Sequence, residues 1–449
     1  MFTLVCSTAA GDEVRLGYDP HTSKLLNPDG TPVFAHDGDR TFGEAPVHRV
    51  SANSPGRKSS APDVLKIQLG LNCNYSCSYC SQASEIASAA ITKTSDVHAF
   101  LSDLDRWIEA PPRHIEFWGG EPLLYFAKLQ LLVPELDRRF PNAGFSMLSN
   151  GSLLDDEKVE FILDHDIEFV VSHDGPGQSH RGADPFDDEQ CLRSIRHLWS
   201  ALKGRGRMSF NTVLTPSNSD PARIRRWFAE RLCEPDVVVN FEGVVATYDE
   251  RTRDGVGAWS PAQYAGMRRD IAHAFETGEA LKVPALLHRS RDFIDSLAGR
   301  RPSTVLGQKC SMDREDHIAV DLQSNVLTCQ NTGGAGKHRI GSALAMGDVA
   351  LDTSTHWGLR ECCSHCPVLQ LCRGSCMFLE GEEFAQSCEN EYHYNLGVLD
   401  GILRRALGLH MVSVEGDVRR PARRRVISIV AENAGFGAAG AEPCLTSRA

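Results

Sequence analysis

The chain has no surplus of positive charge: 47 Lys and Arg stand against 59 Asp and Glu, for a net charge of -12. That argues against a nucleic-acid groove, which requires a basic face. The one basic run, Arg419 to Arg425, falls in a tail and reads as solvated. No apolar run approaches the roughly 18 residues of a membrane-spanning helix. The first residues, Met1 to Glu13, have no charged n-region and too short an apolar stretch for an export signal. With export unsupported, metal accounts for 15 cysteines better than a disulfide framework does. A cytoplasmic protein without nucleic-acid or membrane partners is expected.

What is present is a chain of 449 residues, 41% hydrophobic and 24% charged, enough for two or three domains. Val14, Leu16 and Tyr18 alternate before a turn at Asn27-Pro28-Asp29-Gly30, so residues 1–62 read as a hairpin followed by a linker. Strands are expected at Val64–Gly70, His114–Trp118, Phe145–Ser149, Ile167–Ser172, Met208–Leu214 and Val237–Phe241. Helical patterns fill the gaps, the first capped by Thr94 or Ser95 and the others at Leu124–Phe140, Asp155–His165, Asp188–Leu202 and Asp220–Leu232. Such alternation predicts an α/β fold, an open six-unit (β/α) partial barrel over residues 63–250. A helical bridge follows over 251–305, then a small cysteine-rich domain over 306–410 and a poorly ordered tail over 411–449.

Cys73-x3-Cys77-x2-Cys80 comes directly after the first expected strand, at the end where parallel α/β barrels build their sites. Three thiolates are one short of a closed tetrahedral site; an iron–sulfur cube held by three keeps one iron open, while a zinc knuckle needs a fourth ligand from elsewhere. Trp118-Gly119-Gly120-Glu121-Pro122, Ser149-Asn150-Gly151 and Ser172-His173-Asp174-Gly175-Pro176 end the next three strands on the same rim. Four successive strands thus deliver small or polar residues to one place, which is a binding-site arrangement.

In their order and spacing these motifs resemble those of the radical S-adenosylmethionine (SAM) enzymes. The resemblance runs from Val64 to Phe241 and, through a second cysteine group, to about Cys388. It implies that Cys73, Cys77 and Cys80 ligate a 4Fe–4S cluster whose open iron takes the amino and carboxylate groups of SAM. Tyr79 would pack near the adenine, and Gly119, Gly120 and Glu121 would meet the methionyl amine. Asn150 and Ser172 would approach ribose or carboxylate, Arg181 the carboxylate, and Val244 the adenine. One electron would cleave SAM to a 5′-deoxyadenosyl radical that abstracts hydrogen from substrate.

The second group, Cys310, Cys329, Cys363-x2-Cys366-x5-Cys372-x3-Cys376 and Cys388, resembles the SPASM extension of peptide-modifying members. By that pattern Cys363, Cys366, Cys372 and Cys388 hold one auxiliary 4Fe–4S cluster and Cys310, Cys329 and Cys376 another, for three clusters in all. Two zinc ribbons are the competing structural reading. No cysteine between Cys233 and Cys310 supplies a fourth ligand to the inner group, which leaves an open iron or a ligand such as Asp313, His317 or Cys362. Sulfatase-maturing members carry an Asp after the residue matching Cys329; here it is Gln330, which takes no proton at useful pH. Asp313, Glu315, Asp316 and His317 are the alternative bases by proximity in sequence to Cys310.

The resemblance implies a maturase that oxidatively cross-links a ribosomally made peptide through a C–C or C–S bond. Its partners would be the peptide with its leader, an external one-electron donor of flavodoxin or ferredoxin type, and a separate leader-binding protein. Formylglycine-type oxidation of Cys or Ser, peptide epimerisation and a non-catalytic zinc-stabilised binding module are the alternatives.

Overall fold

Hydrophobic segments bounded by helix-capping acids dictate the local structure. Asp155, Asp188 and Asp220 each accept hydrogen bonds from backbone N–H groups in the first turn of the helix that follows, over Asp156–Asp164, Glu189–Leu202 and Pro221–Leu232. The first barrel helix, Thr94–Trp107, starts with Lys93 as its cap, whose N–H donates to the Asp96 carboxylate at 2.7 Å; neither Thr94 nor Ser95 caps it. The computed structural model describes residues 1–38, 42–43, 45–86 and 91–421.

Strands β1 (Phe2–Ser7), β2 (Glu13–Asp19) and β3 (Lys24–Leu26) pair antiparallel in chain order, and β4 (Gly56–Arg57) is short. Then come β5 (Val64–Gln68), β6 (His114–Trp118), β7 (Gly144–Ser149), β8 (Ile167–Ser172), β9 (Met208–Leu214) and β10 (Val239–Val244). These six pair in parallel, in chain order. Along β7 and β9 buried residues alternate with half-buried ones. Phe145, Met147, Met208 and Phe210 lie in the core, while Leu148 and Val213 line an internal cavity.

The sheet does not stop at β5. The cysteine-rich segment contributes β11 (His317–Asp321), parallel to β5, then β12 (Asn325–Leu327) and β13 (Arg339–Ser342), giving nine strands. Ile318, Val320, Val326 and Leu327 are fully buried in the same core as β5 to β10. The segment therefore leans on a large apolar core. The expected linker also carries structure: β4 pairs with β14 (Ala350–Leu351).

Helices Pro261–Glu276 and Pro284–Ala298 occupy the expected bridge. A 27-residue helix, Gly381–Leu407, carries Cys388 and ends at Gly408 in the left-handed conformation. β15 (His410–Glu415) pairs antiparallel with β1, so the start of the expected tail is a sheet strand. Arg420 likewise is not a solvated charge: it donates to the Cys388 carbonyl at 2.9 Å and covers the Tyr392 ring at 3.9 Å. Residues 422–449 lie outside the described residues. Among the described residues no helix is long and apolar enough to cross a membrane.

Candidate active site

The cysteine loop and the Gly-Gly-Glu turn are one backbone-bonded unit. Gly120 N donates to the Gly70 carbonyl at 3.0 Å and Glu121 N to the Asn72 carbonyl at 2.9 Å. Asn72 N donates to the Tyr125 hydroxyl at 2.8 Å. A Cβ on Gly120 would stand 2.3 Å from the Asn72 carbonyl oxygen, so only glycine permits this approach.

Glu121 is buried and joins this unit to the end of β7. Its carboxylate accepts from Leu123 N at 2.9 Å, Ser149 Oγ at 2.7 Å and Asn150 N at 2.7 Å. Burial nevertheless pushes its carboxyl above the ordinary range, against those three donors. Asn150 Nδ2 donates to Asn74 Oδ1 at 2.9 Å, which ties β7 to the cysteine loop.

Asp174 organises the opposite wall. It is fully buried, accepts from the Tyr79 hydroxyl and from Val213 N at 3.0 Å, and pairs with Arg181 at 3.0 Å. The Arg181 guanidinium lies 5.4 Å from the Tyr79 ring centroid. Burial opposes its charge, but Asp174, Tyr79 and Cys77 carry its pKa upward overall. In the sequence Asp174 stands out only as a carboxylate two residues past a strand end.

These elements enclose a cavity of about 430 Å³. Cys73, Cys77, Cys80 and Tyr79 line it, together with Gly119, Gly120, Glu121, Asn150, Ser172, Arg181 and Val244. Cys310, Cys329 and Cys376 line it too. The sequence-derived SAM and inner-cysteine residues thus meet in one chamber. Lys309 and Glu391 also line it, paired at 3.0 Å, and neither had been singled out.

Cys362, Cys363, Cys366, Cys372 and Cys388 form a separate group. Cys366, Cys372 and Cys388 feel one another's charge, and Cys362 hydrogen-bonds Cys363 and Cys388. Cys362 therefore sits with the outer set and is no ligand candidate for the inner one. Burial, then neighbouring negative charge, pushes Cys372 and Cys376 up to about 12. Cys329 and Cys366 rise in the same way. These thiols are free and grouped, a donor set that metal can use once it displaces their protons. No three His, Cys, Asp or Glu side chains among the described residues stand close enough for a single ion. A four-iron cube takes thiolates set wider than the ~2.3 Å bonds of one tetrahedral zinc allow.

The four candidate bases are not at the chamber. Glu315 and Asp316 precede β11, whose first residue His317 pairs with Val64, the first residue of β5. They occupy the N-terminal end of the parallel strands, whereas Cys73 follows the C-terminal end. Asp316 is ion-paired with Arg314 and His317, and these partners hold its carboxyl well below the usual range. Asp313 is buried, accepts from Gln308 N at 3.0 Å and does not line the cavity. Cys310 and Met312 line the cavity and these four residues do not, because the chain turns away after Met312.

Residues 67–214 match the radical SAM superfamily. The chain carries a radical SAM domain. SAM and a 4Fe–4S cluster belong to such a domain, and the cysteine loop lies within the matched residues. The radical SAM cyclopropyl synthase TigE of Paramaledivibacter caminithermalis is 22% identical over 197 residues, 40% of either chain. An uncharacterized protein of Methanocaldococcus jannaschii is 29% identical over 114 residues, 25% of this chain and 38% of its own. The matches thus span about two-fifths of the length of these curated relatives. Native anSMEcpe with bound AdoMet and Cp18Cys peptide shares the fold, with a TM-score of 0.52 at 19% identity over 76% of this chain and 99% of that one.

Proposed function

We propose that this radical SAM protein is a peptide maturase that oxidatively forms a C–C or C–S cross-link in a ribosomally made peptide. The observation that carries the proposal is the single chamber faced by both Cys73/Cys77/Cys80 and Cys310/Cys329/Cys376. A substrate C–H bond placed between them would lie within reach of both cysteine groups. The names of the relatives support the class: TigE is a cyclopropyl synthase, which joins carbon to carbon, and anSMEcpe binds a Cys-containing peptide.

In this reading β5 to β10 form an open six-unit barrel over residues 63–250, with the auxiliary-cluster region over 306–410. Cys73, Cys77 and Cys80 hold the SAM cluster; Cys310, Cys329 and Cys376 hold the inner auxiliary cluster, and Cys363, Cys366, Cys372 and Cys388 the outer one. When bound, the SAM cluster supplies one electron and a 5′-deoxyadenosyl radical. The protein's own part is orientation and exclusion of water. Glu121 spends three of its roughly four lone-pair sites on the framework, which leaves one for the methionyl amine. Asp174 fixes Tyr79 and Arg181 for the adenine and carboxylate ends, and Asn150, Ser172 and Val244 complete the wall. Cross-linking removes two electrons, so auxiliary clusters that accept the second fit the chemistry. The first of these electrons would leave with the abstracted hydrogen atom; an external flavodoxin- or ferredoxin-type donor would supply the separate electron that cleaves SAM, and a separate protein would present the leader.

Anaerobic purification with iron, sulfide and zinc quantitation, followed by SAM cleavage under dithionite, tests the reading. About twelve irons are expected, falling by about four when Cys73, Cys77 and Cys80 are replaced together by Ala, with loss of 5′-deoxyadenosine. Zinc without 5′-deoxyadenosine would sink it. A product lighter by two hydrogens marks a cross-link, and unchanged mass an epimer.

A further inference from the structure

Lys58 lies in the segment read as a linker, yet it is 6% exposed. A lysine is rarely buried unless its charge is satisfied. Its ammonium donates to the Met312 carbonyl at 2.7 Å, the Arg314 carbonyl at 2.8 Å and the His317 carbonyl at 2.9 Å. All three N–H bonds of an ammonium are thereby used, and all on one loop. That loop begins at Cys310 and turns through Ser311, which sits at a positive φ of 59°. Neighbouring chain reinforces the grip: Ser59 N donates to the Glu315 carbonyl at 3.0 Å and Asp63 N to that of Asp316 at 2.8 Å. The negative groups within electrostatic reach of Lys58 are Asp313, Cys310, Asp316 and Cys329.

We propose that Lys58 is a positioning residue for the chamber's cysteine group, folding the loop that follows Cys310 around its ammonium and bringing a positive charge to that loop. The inference rests on the proposed reading that these thiolates hold an auxiliary cluster. Net charge near a cluster sets its reduction potential, and a buried cation makes the reduced form easier to reach.

The test uses the full-length, anaerobically reconstituted protein, iron quantitation and a dithionite titration followed by electron paramagnetic resonance. Lys58→Met, which removes charge and donors, loses about four of about twelve irons. Lys58→Gln, which keeps donors without charge, retains iron but moves one cluster to a more negative potential. Lys58→Arg keeps the wild-type potential. A merely structural lysine would lower melting temperature in all three and move no potential. Wild-type iron in Lys58→Met together with unchanged potentials in Lys58→Gln overturns the proposal. Joint replacement of Cys310, Cys329 and Cys376 by Ala judges the underlying reading separately: undiminished iron there would dismiss the cluster itself, whatever Lys58 does.

Discussion

Gly120→Ala offers the sharpest test of the chamber, because the added carbon meets backbone. The new Cβ would lie 2.3 Å from the Asn72 carbonyl oxygen and 2.4 Å from that of Leu71. Neither atom is a flexible side-chain end, and ordinary contact begins at 3.4 Å. The turn and the cysteine loop must therefore separate by about 1 Å, a misplacement that costs on the order of 100-fold in rate at a reacting centre. The Gly120–Gly70 and Glu121–Asn72 backbone bonds hold both pieces and would be the first to stretch. Overpacking of this kind lowers stability by about 1–3 kcal/mol, too little to unfold the domain. The assay is 5′-deoxyadenosine release under dithionite at matched iron content. A hundredfold fall is expected in Gly120→Ala and none in Gly204→Ala, where a Cβ meets nothing within 4 Å. Wild-type cleavage by Gly120→Ala would refute the close approach and the placement of SAM over it.

Asp174→Asn leaves the buried Arg181 guanidinium without its counter-charge and should cost about 3–5 kcal/mol in urea unfolding, with SAM cleavage falling alongside. A loss under 1 kcal/mol would show that Asp174 is not the hub. For Glu389, burial raises its pKa, but the His393 hydrogen bond and the Arg420 charge win and hold it at about 2 against an ordinary 4.5. Because the folded value is depressed, its contribution is present above pH 4.5 and is lost as pH falls toward 2, at most about 3 kcal/mol and less once solvent screens this partly exposed pair. Glu389→Gln should flatten that part of the acid-unfolding curve; an unchanged slope would refute the pairing. Ser260→Ala removes a capping box from the helix Pro261–Glu276 and should cost about 1 kcal/mol by thermal melting, without touching iron content.

The strands β5 to β10 were legible because each is a short apolar run closed by turn residues, and their helices because Asp155, Asp188 and Asp220 advertise their starts. The cysteine loop and the three rim motifs were legible for a related reason: each follows a strand end immediately, so its rim position is fixed by local order. What escaped was long-range. Nothing near His317 or Val64 says that they are register partners, and without that pairing Asp316 and His317 looked like neighbours of the chamber. Cys362 and Cys363 are adjacent in sequence, and only packing around Cys388 assigns Cys362 to the outer group. Lys58 was hidden by composition, since a Ser- and Pro-rich stretch around it reads as solvated while its side chain is not.

The pairing of β5 with β11, and of Thr3 with Glu415 in β1 and β15, sets a timetable for the molecule. Contacts so distant along the chain close late, because the loop between partners must be ordered before it is rewarded. On a ribosome, the Cys73 loop is synthesised long before the strand that braces β5 exists. The parallel sheet then has an open edge at β5, a template for mispairing with other chains. Iron delivered at that stage would meet a loop anchored on one side only.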